Sequence, residues 1–422
     1  VTNGSSANTL AGVAITANTA DAVTQGKWQW QADGSSTWND IATTGLADTT
    51  ALYLAANSLI RFVPVADYKG TPGGLTARLV ESSGNGLTNG NVVDVSANGG
   101  STAFSANSVS LGTSITSVND APTLTMAPSS YTVNEDAVVD LTFTGTPFAD
   151  IDTNSLTVTL SVADGIINAT TGGNVTVAGT GTDRTFSGTA ADLNAFFTTA
   201  GNITYQGAAH VNGSRTLTVT VNDGSTANNT ATATSTINIT AVNDAPVASG
   251  SATLAAVAED TTSPAGALVS TLFASSFSDT ADAVTNGSSA NTLAGVAITA
   301  NTANANTQGK WQYTDANNAW VDIPTTASLS GAIYVRADAK IRFLPAANFN
   351  GSPPALTVKL VDNSPPAIGT VNSGITTDTS NPANTQFSTS TITLGTSITA
   401  VNDTPTISAP TSFTVNEDVA GN

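Results

Sequence analysis

Cysteine is absent from all 422 residues, and histidine and methionine occur once each. The absence of thiols excludes disulfides, thiolate metal sites and cysteine nucleophiles. Positive charge is also scarce: 11 Lys and Arg stand against 30 Asp and Glu, a net charge of −19, so nothing here could neutralise a run of phosphates. Charged residues make up only 10% of the chain, and with so little lysine and glutamate, long solvent-exposed helices are not expected. No run of 18 or more apolar residues appears, so no membrane-spanning helix is expected, and the first residues lack the basic and apolar regions of a secretion signal. Any export signal or anchor is expected outside this stretch.

What remains is rich in Thr, Ala, Asn, Gly, Ser and Val, a composition that favours strands and turns. Period-2 alternation recurs at Leu156–Val162, Leu217–Val221, Leu356–Val361 and Thr236–Thr240, placing one face of each segment in a core and the other in solvent. Gly165, Gly172-Gly173 and Asn212-Gly213 punctuate these runs. One helical turn is expected, over Ala190–Phe197. The fold class that follows is all-β, a tandem, elongated array of antiparallel β-sandwiches, because the length exceeds what one sandwich core can organise.

Internal repetition sets the order of the units. Residues 1–20 recur unchanged at 284–303, and the match continues through Gly26-Lys27-Trp28-Gln29 and Gly309-Lys310-Trp311-Gln312. Ile60-Arg61-Phe62 then matches Ile341-Arg342-Phe343, and Leu111–Thr116 matches Leu394–Thr399. A different unit lies between, bounded by Val118-Asn119-Asp120-Ala121-Pro122 and Val242-Asn243-Asp244-Ala245-Pro246, and a third boundary reads Val401-Asn402-Asp403-Thr404-Pro405. The expected division is therefore a type A sandwich over 1–120 lacking its N-terminal segment, a type B sandwich over 121–246, a complete type A sandwich over 247–404, and over 405–422 the first strand of another type B unit. Both ends fall inside units, which is expected of a window on a longer chain. The alternative is a subunit completed by strands of a neighbouring molecule.

Only four glutamates occur, and three of them lie in one motif: Val133-Asn134-Glu135-Asp136, Ala258-Glu259-Asp260 and Val415-Asn416-Glu417-Asp418. Carboxylates recurring at fixed positions relative to recurrent boundaries suit a hard cation such as Ca²⁺, which takes six to eight oxygen ligands from several segments. Asp150 and Asp152, two apart, would point the same way on extended backbone and grip one ion. Taken singly, each Asp also suits a turn or cap.

With these boundaries, the Asn-Glu-Asp motif and Asp150-Ile151-Asp152, the chain resembles the bacterial cadherin-like repeats of giant cell-surface and biofilm adhesins of RTX type. The resemblance implies an extracellular, bacterial-surface location, Ca²⁺ as cofactor at interdomain junctions, and neighbouring repeats as the main partners, with other copies in a fibre a further possibility. Carried over residue by residue, it implies a first junction of Asn119, Asp120, Asp150, Asp152 and Asp223, with its upstream glutamate outside this chain. It implies a second of Glu135, Asn243, Asp244, Asp279, Asp282 and Asp362, and a third of Glu259, Asn402 and Asp403. The second departs from the pattern, since Asp279-Thr280-Ala281-Asp282 replaces Asp-X-Asp. The function implied is a non-enzymatic stalk segment stiffened by Ca²⁺. Its rivals are a self-assembling filament or sheath subunit and a carbohydrate-binding module.

Other features read as background. Trp28 and Trp311 recur at equivalent strand positions, which points to a core rather than to a glycan platform built with Trp30, Trp38 and Trp320. His210 stands in a loop without a nucleophile and base around it. Sequons at Asn168, Asn174, Asn202 and Asn238 arise readily in so Asn- and Thr-rich a chain, and a flat ice-binding threonine array is not indicated by ordinary alternation.

Overall fold

The computed structural model describes residues 7–285, 287–365, 373–381 and 385–408. Within them the chain is almost entirely β-structure, in three successive sandwiches. In the second, a six-stranded sheet runs in the order Ser130–Asn134, Thr230–Thr240, Gly213–Asn222, Ser155–Ser161, Asp183–Thr189 and Thr176–Ala178. A three-stranded sheet of Val138–Asp140, Ile203–Gln206 and Ile166–Ala169 closes its core. The alternating residues meet there: Leu156, Val158, Leu160, Leu217, Val219, Val221, Ile237 and Ile239 share one cluster with Tyr205 and Phe186.

The helix expected at Ala190–Phe197 forms over those residues, with Thr189 as N-cap accepting the Asp192 N–H at 3.1 Å. Its Leu193, Phe196 and Phe197 are buried. A second short helix, Val269–Phe273, was not expected from the sequence. Only Val269 and Phe273 are buried in its five residues, too short a stretch for helical periodicity to show.

The third sandwich pairs a sheet ordered Ala252–Thr253, Ile392–Gly395, Leu356–Asp362, Leu293–Ala300, Ala332–Arg336 and Thr376–Thr377 with one ordered Ala267–Leu268, Lys340–Pro345, Gly309–Thr314 and Trp320–Asp322. The first repeats this plan with Val92–Val93, Ala51–Ala55, Leu10–Asn18, Leu75–Glu81 and Phe104–Leu111 against Asn39–Asp40, Gly26–Gln31 and Leu59–Pro64. Trp28 and Trp311 are core residues, 3% and 0% exposed, each in edge contact with its strand partner Phe62 or Phe343. Gly26 and Gly309 both take φ of +127°, and a Cβ at either would lie 2.3 Å from a facing carbonyl oxygen, so neither position admits a side chain.

The two copies differ in cover. In the third sandwich Ala267–Leu268 pairs with Lys340–Ile341, and Phe273 packs in one core with Ile341 and Phe343, both fully buried. Residues 1–120 hold no counterpart of that segment; Ile60 and Phe62 are half-buried, and Leu59 is 57% exposed.

Three pairings depart from the antiparallel pattern. Ser130–Asn134 runs parallel to Thr236–Thr240, and Ala252–Thr253 and Val257–Ala258 run parallel to Ile392–Gly395 and Ile398–Thr399. The entering strand thus travels the length of its sandwich beside the last strand. Its closing glutamate arrives where the chain leaves: the Glu135 N–H donates to Thr240 O and the Glu259 N–H to Thr399 O, each at 2.9 Å. Of the strand expected over 405–422, residues 405–408 are in no strand and the rest lie outside the described residues.

Candidate metal centres at the junctions

Parallel pairing delivers Glu135 and Glu259 to their outgoing linkers. Glu135 Oε1 accepts the Val242 N–H, and Glu259 Oε1 accepts the Val401 N–H, the latter at 2.6 Å. The second oxygen is held by a loop amide: Asn212 Nδ2 donates to Glu135 Oε2 at 3.3 Å and Asn350 Nδ2 to Glu259 Oε2 at 3.0 Å. Both glutamates are 5% exposed. The Asp that follows each takes a left-handed backbone, φ 59° at Asp136 and 64° at Asp260, and accepts the backbone N–H of His210 or Asn348 through Oδ1.

Between the second and third sandwiches all six residues named from the sequence come together. Asn243 Nδ2 donates to Asp362 Oδ2 at 3.2 Å, and the Asp244 N–H donates to Asp282 Oδ1 at 3.1 Å. Oxygens of Glu135, Asp244 and Asp282 lie within 4.8 Å of one another. Asp279, Asp282 and Asp362 are 4%, 4% and 0% exposed. The Asp279-Thr280-Ala281-Asp282 spacing is absorbed by one added loop residue, because Asn291 ties both ends: its N–H donates to Asp279 Oδ2 at 2.7 Å and its Nδ2 to Asp282 Oδ2 at 2.9 Å.

The electrostatics of this cradle are costly without a cation. Burial, aided by the charges of Asp282 and Asp362 and opposed by the Asn291 N–H, pushes Asp279 up to about 6. Burial also raises Asp362, against hydrogen bonds from Ser364. Asp279 Oδ1 is buried without a hydrogen-bond partner. Among the described residues no Lys, Arg or His lies within 4 Å of a carboxylate oxygen of Glu135, Asp279, Asp282 or Asp362. Converging oxygens, an orphaned buried acceptor and four carboxylates without a paired base fit a hard divalent ion.

Between the first and second sandwiches Asn119, Asp120, Asp150, Asp152 and Asp223 also converge. Asn119 Nδ2 donates to Asp223 Oδ2, and the Asp120 N–H to Asp152 Oδ2, each at 2.7 Å. Asp150 and Asp152 do not project side by side from a strand. Asp150 Oδ1 instead accepts the N–H groups of Asp152 and Thr153, forming a turn, while its buried Oδ2 has no partner. Here the carboxylates are better satisfied: Asp223 is held below its usual value first by Asn119, and Asp152 first by the Asp120 N–H. At the third junction Asn402 and Asp403 are exposed, and Asp403 belongs to no cluster of three or more potential metal ligands among the described residues.

Several junction residues carry little in the sequence to mark them. Asn212, Asn350 and Lys69 occupy one position in three related loops, Ala-His210-Val-Asn212-Gly, Ala-Asn348-Phe-Asn350-Gly and Ala-Asp67-Tyr-Lys69-Gly, and that shared spacing was the available signal. Asn291 lies in the repeated segment but carried no charge to mark it. Glu81, the fourth glutamate, stands where the third sandwich has Asp362, with Ser83 donating to it at 2.6 Å as Ser364 donates to Asp362 at 2.5 Å. His210 is a junction residue, its Nδ1 lying 2.7 Å from Asp244 Oδ2.

No family model and no curated protein matches this sequence. Solved structures similar to it include protocadherin gamma B2 extracellular cadherin domains 1–5, 13% identical over 89% of this chain and 54% of that one, with a TM-score of 0.39. Mouse cadherin-23 EC22–24 is 13% identical over 89% of this chain and 99% of that one, with a TM-score of 0.31. An endo-fucoidan hydrolase of glycoside hydrolase family 107 is 12% identical over 92% and 39%, with a TM-score of 0.19. The chain spans about half the length of the protocadherin gamma B2 structure it matches. At these scores the architecture rests on the strand pairing and cores described above.

Proposed function

We propose that this chain is a stalk segment of a long bacterial cell-surface adhesin or extracellular fibre, a non-enzymatic spacer whose junctions are locked by Ca²⁺. The observation that carries the reading is the cradle of Glu135, Asp244, Asp279, Asp282 and Asp362, assembled from two sandwiches and their linker, in which only Asp244 has a basic partner, His210, among the described residues. The proposed units are 1–120, 121–246 and 247–404, followed by the start of another at 405–422. A bound Ca²⁺ supplies the positive charge that these carboxylates lack. Glu135 would hold it from the preceding unit, Asn243 and Asp244 from the linker, and Asp279, Asp282 and Asp362 from the next. A hinge then becomes a stiff joint, because releasing the ion requires separating ligands on both sides. At the first junction Asn119, Asp120, Asp150, Asp152 and Asp223 would act likewise, and Glu259, Asn402 and Asp403 would begin a third site.

A ligand that binds only the ordered junction stabilises it by about 2.7 kcal/mol at a hundredfold excess over Kd. Thermal unfolding of the chain in millimolar Ca²⁺ and in excess EDTA tests the reading, with Asp282→Asn and Asp150→Ala/Asp152→Ala as variants. Calcium raises Tm, and each variant removes part of the rise. Superimposable melts in calcium and EDTA would leave a metal-free array whose acidic motifs only cap turns.

A further inference from the structure

The three related loops offer an internal comparison that bears on how the junctions respond to metal. Each has a left-handed residue two positions before the one in question: Asp67 at φ 61°, His210 at 55° and Asn348 at 57°. In the second and third sandwiches that position is an asparagine whose amide steadies the motif glutamate, at 3.3 and 3.0 Å. In the first it is Lys69. Its ammonium lies 3.3 Å from Oδ1 of Asp152, a residue of the next sandwich. Lys69, Ser117, Asp120 and Asp152 line one cleft between the two units, together with Asp67.

Asp152 is the counterpart of Asp282, since each accepts the N–H of its linker aspartate, at 2.7 and 3.1 Å. Asp282 turns its other oxygen to the neutral amide of Asn291, whereas Asp152 turns its other oxygen to Ser117 Oγ and to a full positive charge. The Asp152 side chain is only 15% exposed, so the ammonium reaches it at the edge of the buried surface, where screening is incomplete. A charge placed there both pairs with one ligand of the first junction and repels an arriving dication.

We infer that Lys69 is a tethered cation that lowers the calcium requirement of the first junction, so that successive junctions along the chain respond to different calcium concentrations. The inference rests on the calcium reading above. The first junction then stays joined by Lys69 and the Asp120–Asp152 bond at calcium levels that loosen the second, and the chain softens at one joint before the other.

Hydrogen–deuterium exchange of the whole chain across a Ca²⁺ titration separates the joints by peptide, 117–123 and 150–154 for the first and 242–245 and 279–292 for the second. In EDTA the second joint loses protection and the first keeps most of its own. Lys69→Asn makes the first joint lose protection in EDTA as the second does and lowers by about tenfold the Ca²⁺ at which it half-saturates, because the repelling ammonium is gone, whereas Lys69→Arg leaves both as they were. If the second joint responds to Ca²⁺ but the first responds identically, with or without Lys69→Asn, the tethered cation is refuted and the calcium reading survives. If neither joint responds, both are refuted.

Discussion

Asn212 of the second sandwich and Ser288 of the third are joined by two hydrogen bonds, Asn212 Nδ2 to Ser288 Oγ at 2.7 Å and the Ser288 N–H to Asn212 Oδ1 at 2.9 Å. The same Asn212 amide also reaches Glu135, so one side chain links the candidate metal ligand to a contact that needs no metal. Gly287 makes the approach possible: a Cβ there would lie 2.2 Å from Asn212 Oδ1.

Asn212→Ala leaves the buried Glu135 carboxylate and the Ser288 N–H short of partners, at a cost of about 1–3 kcal/mol. Gly287→Ala, which keeps every polar group but blocks the approach, should show the same direction of change. Urea unfolding in EDTA, where no metal compensates, measures both; stability unchanged in the two variants would show that the link is incidental.

Protonation relieves the buried charge of Asp279. Its folded value of about 6 exceeds the ordinary 3.8, so between those limits the folded chain binds more protons than the unfolded chain, and stability rises as pH falls. In EDTA, moving from pH 7 to 5 should raise Tm by about 2–4 °C, an effect reduced in Asp279→Asn to the share that His210 contributes. In saturating Ca²⁺ the sign reverses, because protons then compete with the metal for the same oxygens. Parallel pH profiles in the two buffers check this.

His210, as the only histidine, reports on the second junction without ambiguity. A hydrogen bond to Asp244, with the charges of Asp244, Asp136 and Glu135, raises it above the ordinary 6.5. The stability it lends is therefore present in full below pH 6.5 and fades as pH rises through the raised value. An NMR titration in EDTA should find the imidazole midpoint elevated and returned towards normal by Asp244→Asn. Added Ca²⁺ should lower it as well, by neutralising Asp244.

One aromatic ties the core of the second sandwich together. Phe197 meets Phe143, Phe148 and Phe186 edge-on, with centroids 5.1, 4.9 and 4.8 Å away. Phe197→Ala should cost about 3–5 kcal/mol. Exchange protection should fall across 131–239 and persist across 252–398, since the two cores are separate clusters.

Much of this protein follows from local pattern. Alternation at Leu156–Val162 and Leu217–Val221 required strands with one buried face, and the repeated Trp28 and Trp311 marked equivalent core positions, because burial acts on each residue through its immediate periodicity. The helix at Ala190–Phe197 was legible for the same reason, while Val269–Phe273 was too short to show a period. The scarcity of glutamate marked Glu135 and Glu259 in advance. Which groups they meet was decided only by tertiary structure. Parallel pairing carries Glu135 to Val242, and folding brings Asn119 to Asp223 and Asn243 to Asp362, separations of more than a hundred residues that no sequence window spans. Asn212, Asn291, Lys69 and His210 entered the junctions the same way. Their chemistry is ordinary in the sequence and becomes specific only where two sandwiches and a linker enclose the same few oxygens, because burial and proximity, not residue type, set the cost of leaving those charges unpaired.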